Sequence, residues 1–208
     1  MTSILCPAVN YESIFTRLKK IVERKLRVLI LVDAKVANQK YFKTNIPKFY
    51  GRIFIEHINL QNEPTYDDLE KLYNRVRNLR ANIIFGIGGG SIMDLAKGIS
   101  ILHSNYGPAI SYKGFEKVKR RGLPLILVPT IAGSGSEVTS TASFIDAKEQ
   151  IKLGINGRYV GGDMICYDYK FLQSAPEKLI KSCQLDALVH LIEACSSKNS
   201  NLMAKYLA

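Results

Sequence analysis

Short, uninterrupted apolar runs alternate with longer amphipathic stretches along this chain, the texture of βαβ units wound around a parallel sheet. Arg27 to Val32 reads as a strand apolar on both faces, as a sheet covered by helices requires, and Arg52 to Ile58 reads as a second strand. Leu69, Leu72, Val76 and Leu79 recur at spacings of three and four and predict a helix from Tyr66 to Leu79. Asn82 to Phe85 is a further buried strand, ending in the run Gly86-Ile87-Gly88-Gly89-Gly90. A helix from about Ile92 to His103 and a strand from Leu123 to Val128 follow. Near the start, residues 12–25 read as a basic amphipathic helix. After Pro129 the texture shifts to Gly, Ser and Thr, so strands and turns are expected over residues 142–167. From Ala175 the pattern is helical again through Ala187, Leu188, Leu191 and Ile192. The fold class is therefore α/β with a parallel sheet. The sheet-forming part is complete by about residue 172, and a helical part is just beginning at Ala208.

Three segments carry candidate chemistry. In the first, Phe85 to Lys97, adjacent glycines follow a strand and open a helix. There the backbone can turn sharply and bring its N–H groups, with the partial positive charge of the helix N-terminus, close to an anion such as a pyrophosphate. The same residues also fit a plain tight turn with Ser91 and Asp94 as a capping box, and the run is not the G-x-G-x-x-G fingerprint. The second, Val128 to Thr139, alternates small residues with hydroxyls just after a strand, where open α/β sheets bind ligands; alone it would read as a Gly/Ser-rich surface loop. The third places Asp186 and His190 four residues apart on a helix, so that carboxylate and imidazole project from one face. That pair suits Fe²⁺ or Zn²⁺, or is simply a surface ion pair; a catalytic metal site needs at least a third protein group.

In series, Gly88-Gly-Gly-Ser-Ile-Met-Asp-Leu-Ala-Lys97, Pro129-Thr-Ile-Ala-Gly-Ser-Gly-Ser-Glu-Val-Thr139 and Asp186-Ala-Leu-Val-His-Leu-Ile-Glu193 resemble the successive signatures of the iron-containing (group III) alcohol dehydrogenases, in order and spacing. The resemblance implies a dinucleotide-binding α/β domain over residues 1–172 and the beginning of an all-helical metal-binding domain over 173–208, with the active site in the cleft between them. It implies NAD(P)(H)-dependent hydride transfer on a small alcohol or aldehyde, assisted by Fe²⁺ or Zn²⁺. By the same likeness, Asp33 faces the adenosine ribose and favours NAD(H) over NADP(H), since a carboxylate repels a 2′-phosphate. The turn of Gly88, Gly89 and Gly90 with Ser91 and Asp94 surrounds the pyrophosphate and nicotinamide ribose. Thr130, Ser134 and Thr139 match hydroxyl positions along the cofactor, Lys152 matches a lysine near it, and Asp186 and His190 match the first two metal ligands.

Two departures qualify the likeness. The family takes two further metal ligands from histidines well downstream, whereas this chain ends eighteen residues after His190, and its other histidines, His57 and His103, match no ligand. Ile131 stands where a second Thr is common. Two accounts fit: a truncated form of an ordinary metal-dependent dehydrogenase, or a catalytically silent dinucleotide-binding module that works by association with another chain. On either account the helix bearing Leu185, Leu188 and Ile192 lacks cover for its apolar face, so a homo-oligomer such as a dimer is expected.

Composition changes this picture little. Twenty-nine Lys and Arg against eighteen Asp and Glu give a net charge of +11, which raises the question of a polyanion partner. The basic residues are spread rather than striped, and the cluster Lys117, Lys119, Arg120 and Arg121 has no aromatic residue to stack on bases, so no nucleic acid is expected. The charge mildly favours an anionic substrate; short alcohols and aldehydes, diols and anionic aldehydes all stay open. Cys6, Cys166, Cys183 and Cys195 share no C-x-x-C spacing and read as small buried apolar residues in a reducing cytosol. With no leader pattern and no apolar stretch long enough to span a bilayer, the expected location is cytoplasmic, off the membrane.

Overall fold

The computed structural model describes residues 5–6, 25–45 and 52–207. The helix expected over residues 12–25 lies outside the described residues but for its last position, Lys25, which is not helical. Eleven strands occur among the described residues: β1 (Leu5–Cys6), β2 (Arg27–Asp33), β3 (Arg52–Ile58), β4 (Ile83–Gly88), β5 (Gly114–Phe115), β6 (Leu125–Pro129), β7 (Thr141–Ala142), β8 (Ile145–Asp146), β9 (Ile151–Lys152), β10 (Ile155–Asn156) and β11 (Met164–Cys166). The α-helices are α1 (Ala34–Ala37), α2 (Lys40–Asn45), α3 (Tyr66–Val76), α4 (Gly90–Leu102), α5 (Tyr169–Gln173), α6 (Glu177–Ser196) and α7 (Leu202–Leu207).

Six strands form one sheet in the order β1-β11-β6-β4-β2-β3, and every neighbouring pair in it is parallel. Period-two alternation divides its apolar residues between two cores. Leu29, Leu31, Ile84, Leu125 and Leu127 point to the side covered by α3 and α4. Val28, Ile30, Val32, Phe85, Ile87 and Val128 point to the other, where Val36, Phe42 and Phe171 from α1, α2 and α5 cover them. Central β4 and β6 are buried at every position, whereas β3 at the edge is exposed or half-buried up to Ile58 and carries Arg52 and Glu56.

Topology fixes where a ligand can sit. From β2 the chain passes first to β3 on one side and then to β4 on the other, so the winding reverses between β2 and β4. The carboxyl ends there are Asp33 and Gly88, and the next strand over ends at Pro129. Open α/β sheets hold ligands at such a reversal.

Several limits differ from the sequence reading: β6 begins at Leu125 rather than Leu123, α6 at Glu177 rather than Ala175, and the turn between β4 and α4 is drawn differently. β4 runs through Gly88 rather than stopping at Phe85, because Gly86 pairs with Leu127 and Gly88 with Pro129 in the ladder. α4 begins at Gly90, two residues early, with Gly89 as its N-cap. No helix among the described residues is long and apolar enough to cross a membrane.

Candidate functional site

Two cavities open at the carboxyl end of the sheet and meet at one corner, since Gly90 and Ser91 line both. The smaller, about 360 Å³, is walled by Asp33, Val36, Leu60, Gly89, Thr130, Ile131 and Leu179, among others. The larger, about 460 Å³, is walled by Asp94, Ser134, Thr139, Thr141, Lys152, Asp186 and His190, among others. All the residues singled out in the sequence thus line one or both cavities except Gly88, which belongs to the strand and packs against Ile92.

The corner between the cavities is the first turn of α4. Gly89 caps the helix with no side-chain hydrogen bond, and the first amides of a helix have no partner within it. A Cβ at Gly90 would stand 3.2 Å from Ser134 Oγ, so a side chain there would fill the gap between the helix and the hydroxyl loop. The donors and the space suit an anion held by main-chain N–H groups. The Ser91 to Asp94 capping box is not formed. Asp94 instead turns inward, accepting from Ser136 Oγ at 2.7 Å and from the Ser143 amide at 3.1 Å. Among the described residues a capping box is formed instead by Thr65 and Asp68 at the start of α3.

Asp33 ends β2 and caps α1, one oxygen accepting from the Lys35 amide at 2.7 Å. This is a strand-ending cap whose carboxylate also belongs to the smaller cavity. Across the larger cavity, Lys152 on β9 pairs with Glu63, and both side chains are about half exposed.

Asp186 and His190 sit one turn apart on α6, with Nδ1 3.8 Å from Oδ2 and both side chains about half exposed. One carboxylate and one imidazole on a cavity wall are donors of a kind that Fe²⁺ or Zn²⁺ accepts. They are two, and among the described residues no group of three or more His, Cys, Asp or Glu comes together. The pair therefore fits a metal only as part of a larger set.

Sequence reasoning assigned no role to Lys97, Ser136, Thr141 or Ser143. Lys97 is wholly buried and its ammonium donates to the carbonyls of Ser136 and Thr141, both at 2.6 Å. Burial lowers its pKa and raises that of Asp94, while the attraction between the two opposes both shifts. A signal was present: Lys97 stands among Leu95, Ala96, Ile99, Ile101 and Leu102 in a helix that is buried at every position from Ile92 to Leu102. The cysteine reading needs correction. Cys166 is buried, but Cys183 is half-buried on α6 and Cys195 is exposed, because α6 turns little of its surface to the sheet.

With this geometry in hand, comparison with known proteins is decisive for the family. A family model described as iron-containing alcohol dehydrogenase matches residues 8–169. The chain belongs to the iron-containing alcohol dehydrogenase family. It is similar to the sulfoacetaldehyde reductase of Bilophila wadsworthia, 34% identical over 134 residues that make up 64% of this chain and 35% of that protein. Among solved structures, an iron-containing alcohol dehydrogenase from Thermotoga maritima superposes with a TM-score of 0.83 at 25% identity, over 100% of this chain and 57% of that one. The sulfoacetaldehyde reductase of Bifidobacterium kashiwanohense, solved in complex with NAD⁺, shares the fold at a TM-score of 0.78 and 20% identity, over 93% of this chain and 53% of that one. The chain thus spans little more than a third of the first relatives matched by sequence and just over half of these solved chains.

Proposed function

We propose that this chain is the dinucleotide-binding portion of an alcohol dehydrogenase or aldehyde reductase that transfers hydride between a nicotinamide and a small alcohol or aldehyde, and that it prefers NAD(H) to NADP(H). The observation that carries the reading is the pair of cavities meeting at the N-terminus of α4. A dinucleotide has two bulky ends joined by a diphosphate, and this cleft has two chambers joined at an amide-lined corner. Family membership and the NAD⁺ held by the Bifidobacterium relative support the same assignment.

In this reading Asp33 takes the adenosine ribose, accepting from a 2′-hydroxyl, and its negative charge disfavours a 2′-phosphate. The N–H groups of Gly89, Gly90 and Ser91 hold the diphosphate. Thr130 lies along the adenosine side, and Ser134, Thr139 and Lys152 line the nicotinamide side. Asp94 acts at one remove, since both its oxygens are already engaged by Ser136 and Ser143. Asp186 and His190 are two donors toward Fe²⁺ or Zn²⁺; such an ion, when bound, polarises the oxygen of an alcohol or aldehyde as a Lewis acid. The larger cavity, lined by the hydroxyls of Ser91, Ser134, Ser136, Thr139 and Thr141, orients polar groups by hydrogen bonding.

Titration of the chain with NADH and NADPH, followed by calorimetry, tests this. NADH is expected to bind more tightly. Loss of a hydrogen bond to a charged group makes Asp33→Ala weaken NADH by about tenfold or more, with NADPH unchanged or improved. Equal losses for both would remove Asp33 from the reading. A folded chain that binds neither nucleotide would overturn it.

A further inference from the structure

We propose that Lys97 is a positioning residue of the cleft: from inside the core, its ammonium clamps the segment Ser136 to Thr141 as the wall of the larger cavity. The proposal rests on the dinucleotide reading only for what that wall serves; the clamp itself rests on geometry.

A lysine in the middle of an apolar helix is costly to bury unless its charge and donors are matched. Lys97 is 0% exposed, so matching must come from protein. Its partners are the Ser136 carbonyl at 2.6 Å, the Thr141 carbonyl at 2.6 Å, Ser136 Oγ at 3.0 Å and Thr139 Oγ1 at 3.3 Å. Asp94, one turn back on the same helix, stands farther off at 3.6 Å. Distance decides what the ammonium is for. A structural ion pair would bring carboxylate and ammonium together; here the short contacts go to one loop and the carboxylate is second.

That loop is the hydroxyl-bearing wall. Ser134, Ser136, Thr139 and Thr141 all line the larger cavity. Lys97 holds the main chain at both ends of the stretch, at Ser136 and at Thr141. Ser136 Oγ, which accepts from Lys97, donates to Asp94, and Asp94 accepts from the Ser143 amide beyond. Helix and loop are thereby tied at four residues by two side chains of α4. The only regular structure within the stretch is one short 3-10 turn, Ser136–Val138, and the start of the two-residue strand β7. An apolar residue at position 97 would take the charged donor from both carbonyls, leaving Ser136 only the Thr139 amide and hydroxyl and Thr141 only a long contact from the Thr139 hydroxyl, and would leave Asp94 without its nearby cation.

Lys97→Met keeps the length of the side chain and removes the ammonium. The expected result is that amide hydrogen exchange over residues 134–143 accelerates by about tenfold or more, as loss of charged hydrogen bonds dictates, while exchange over 28–32 in β2 stays as in the unmodified chain. NADH affinity falls by a similar factor, and propylammonium added to Lys97→Ala restores part of it. Unchanged exchange over 134–143, or acceleration spread evenly over the sheet, would overturn the clamp. Should neither variant fold, nitrogen NMR of the lysine ammonium groups in the unmodified chain decides. A slowly exchanging Lys97 ammonium supports the clamp, and exchange as fast as at surface lysines overturns it. If the unmodified chain binds no NADH, the dinucleotide reading fails and exchange over 134–143 alone judges Lys97.

Discussion

Helices α4 and α6 start from similar apolar content and end in opposite environments. From Ile92 to Leu102 every residue of α4 is buried, including a serine, an aspartate and a lysine. In α6, twenty residues long, none is buried, and Leu185, Leu188, Val189 and Ile192 are all more than half exposed. The contrast teaches that burial in this fold follows position on the sheet rather than hydrophobicity. α4 enters at the winding reversal and lies across β4 and β6, so even its polar residues are enclosed and must find partners. α6 leaves the sheet after α5, and its Cys183 lies against the backbone of Gly133 in the loop after β6.

Three substitutions probe that contrast. Ile99→Ala, in the enclosed helix, is expected to cost about 2–5 kcal/mol in urea unfolding, because a buried side chain leaves a cavity. Gly133→Ala attacks the contact between α6 and that loop. Gly133 has φ +142°, and an added Cβ would collide with the Cys183 backbone. A loss of about 1–3 kcal/mol is expected from such strain, together with weaker NADH binding if α6 shifts. Leu188→Gln should change stability by no more than about 0.5 kcal/mol, since an exposed side chain has little to lose. Light scattering on the same variant should show less self-association than the unmodified chain, whose monomer mass is 23.3 kDa. If Leu188→Gln instead costs as much as Ile99→Ala, α6 is covered in solution and the contrast with α4 disappears.

Much of the fold was legible because the residues that make it also carry the pattern. β2 and β3 appear where the apolar runs place them, and α3 continues into a 3-10 turn to Leu79 as the three-four spacing implies. The limits of β4 and α4 were not legible, since glycines carry no periodicity and only pairing with β2 and β6 shows that they extend the strand. Of the site, the residues of the three motifs come together as cavity walls. What the sequence hid was the direction of their side chains. Ser91 and Asp94 have the spacing of a capping box, yet a buried lysine one turn on and a serine 42 positions away draw Asp94 inward. The hydroxyl loop had a similar limit: Ser and Thr after a strand mark a ligand wall, but nothing in that pattern shows the enclosed ammonium to which the Ser136 and Thr141 carbonyls turn.

The shared rim at Gly90 and Ser91 has a consequence for ligands in pieces. A compound filling one chamber and a compound filling the other are each held by their own chamber, but a single molecule reaching through the rim binds its second half from a high effective concentration. Adenosine monophosphate and nicotinamide mononucleotide should each bind feebly, and their covalent union should bind far beyond the sum, a chelate effect built from two ordinary hollows and one helix end.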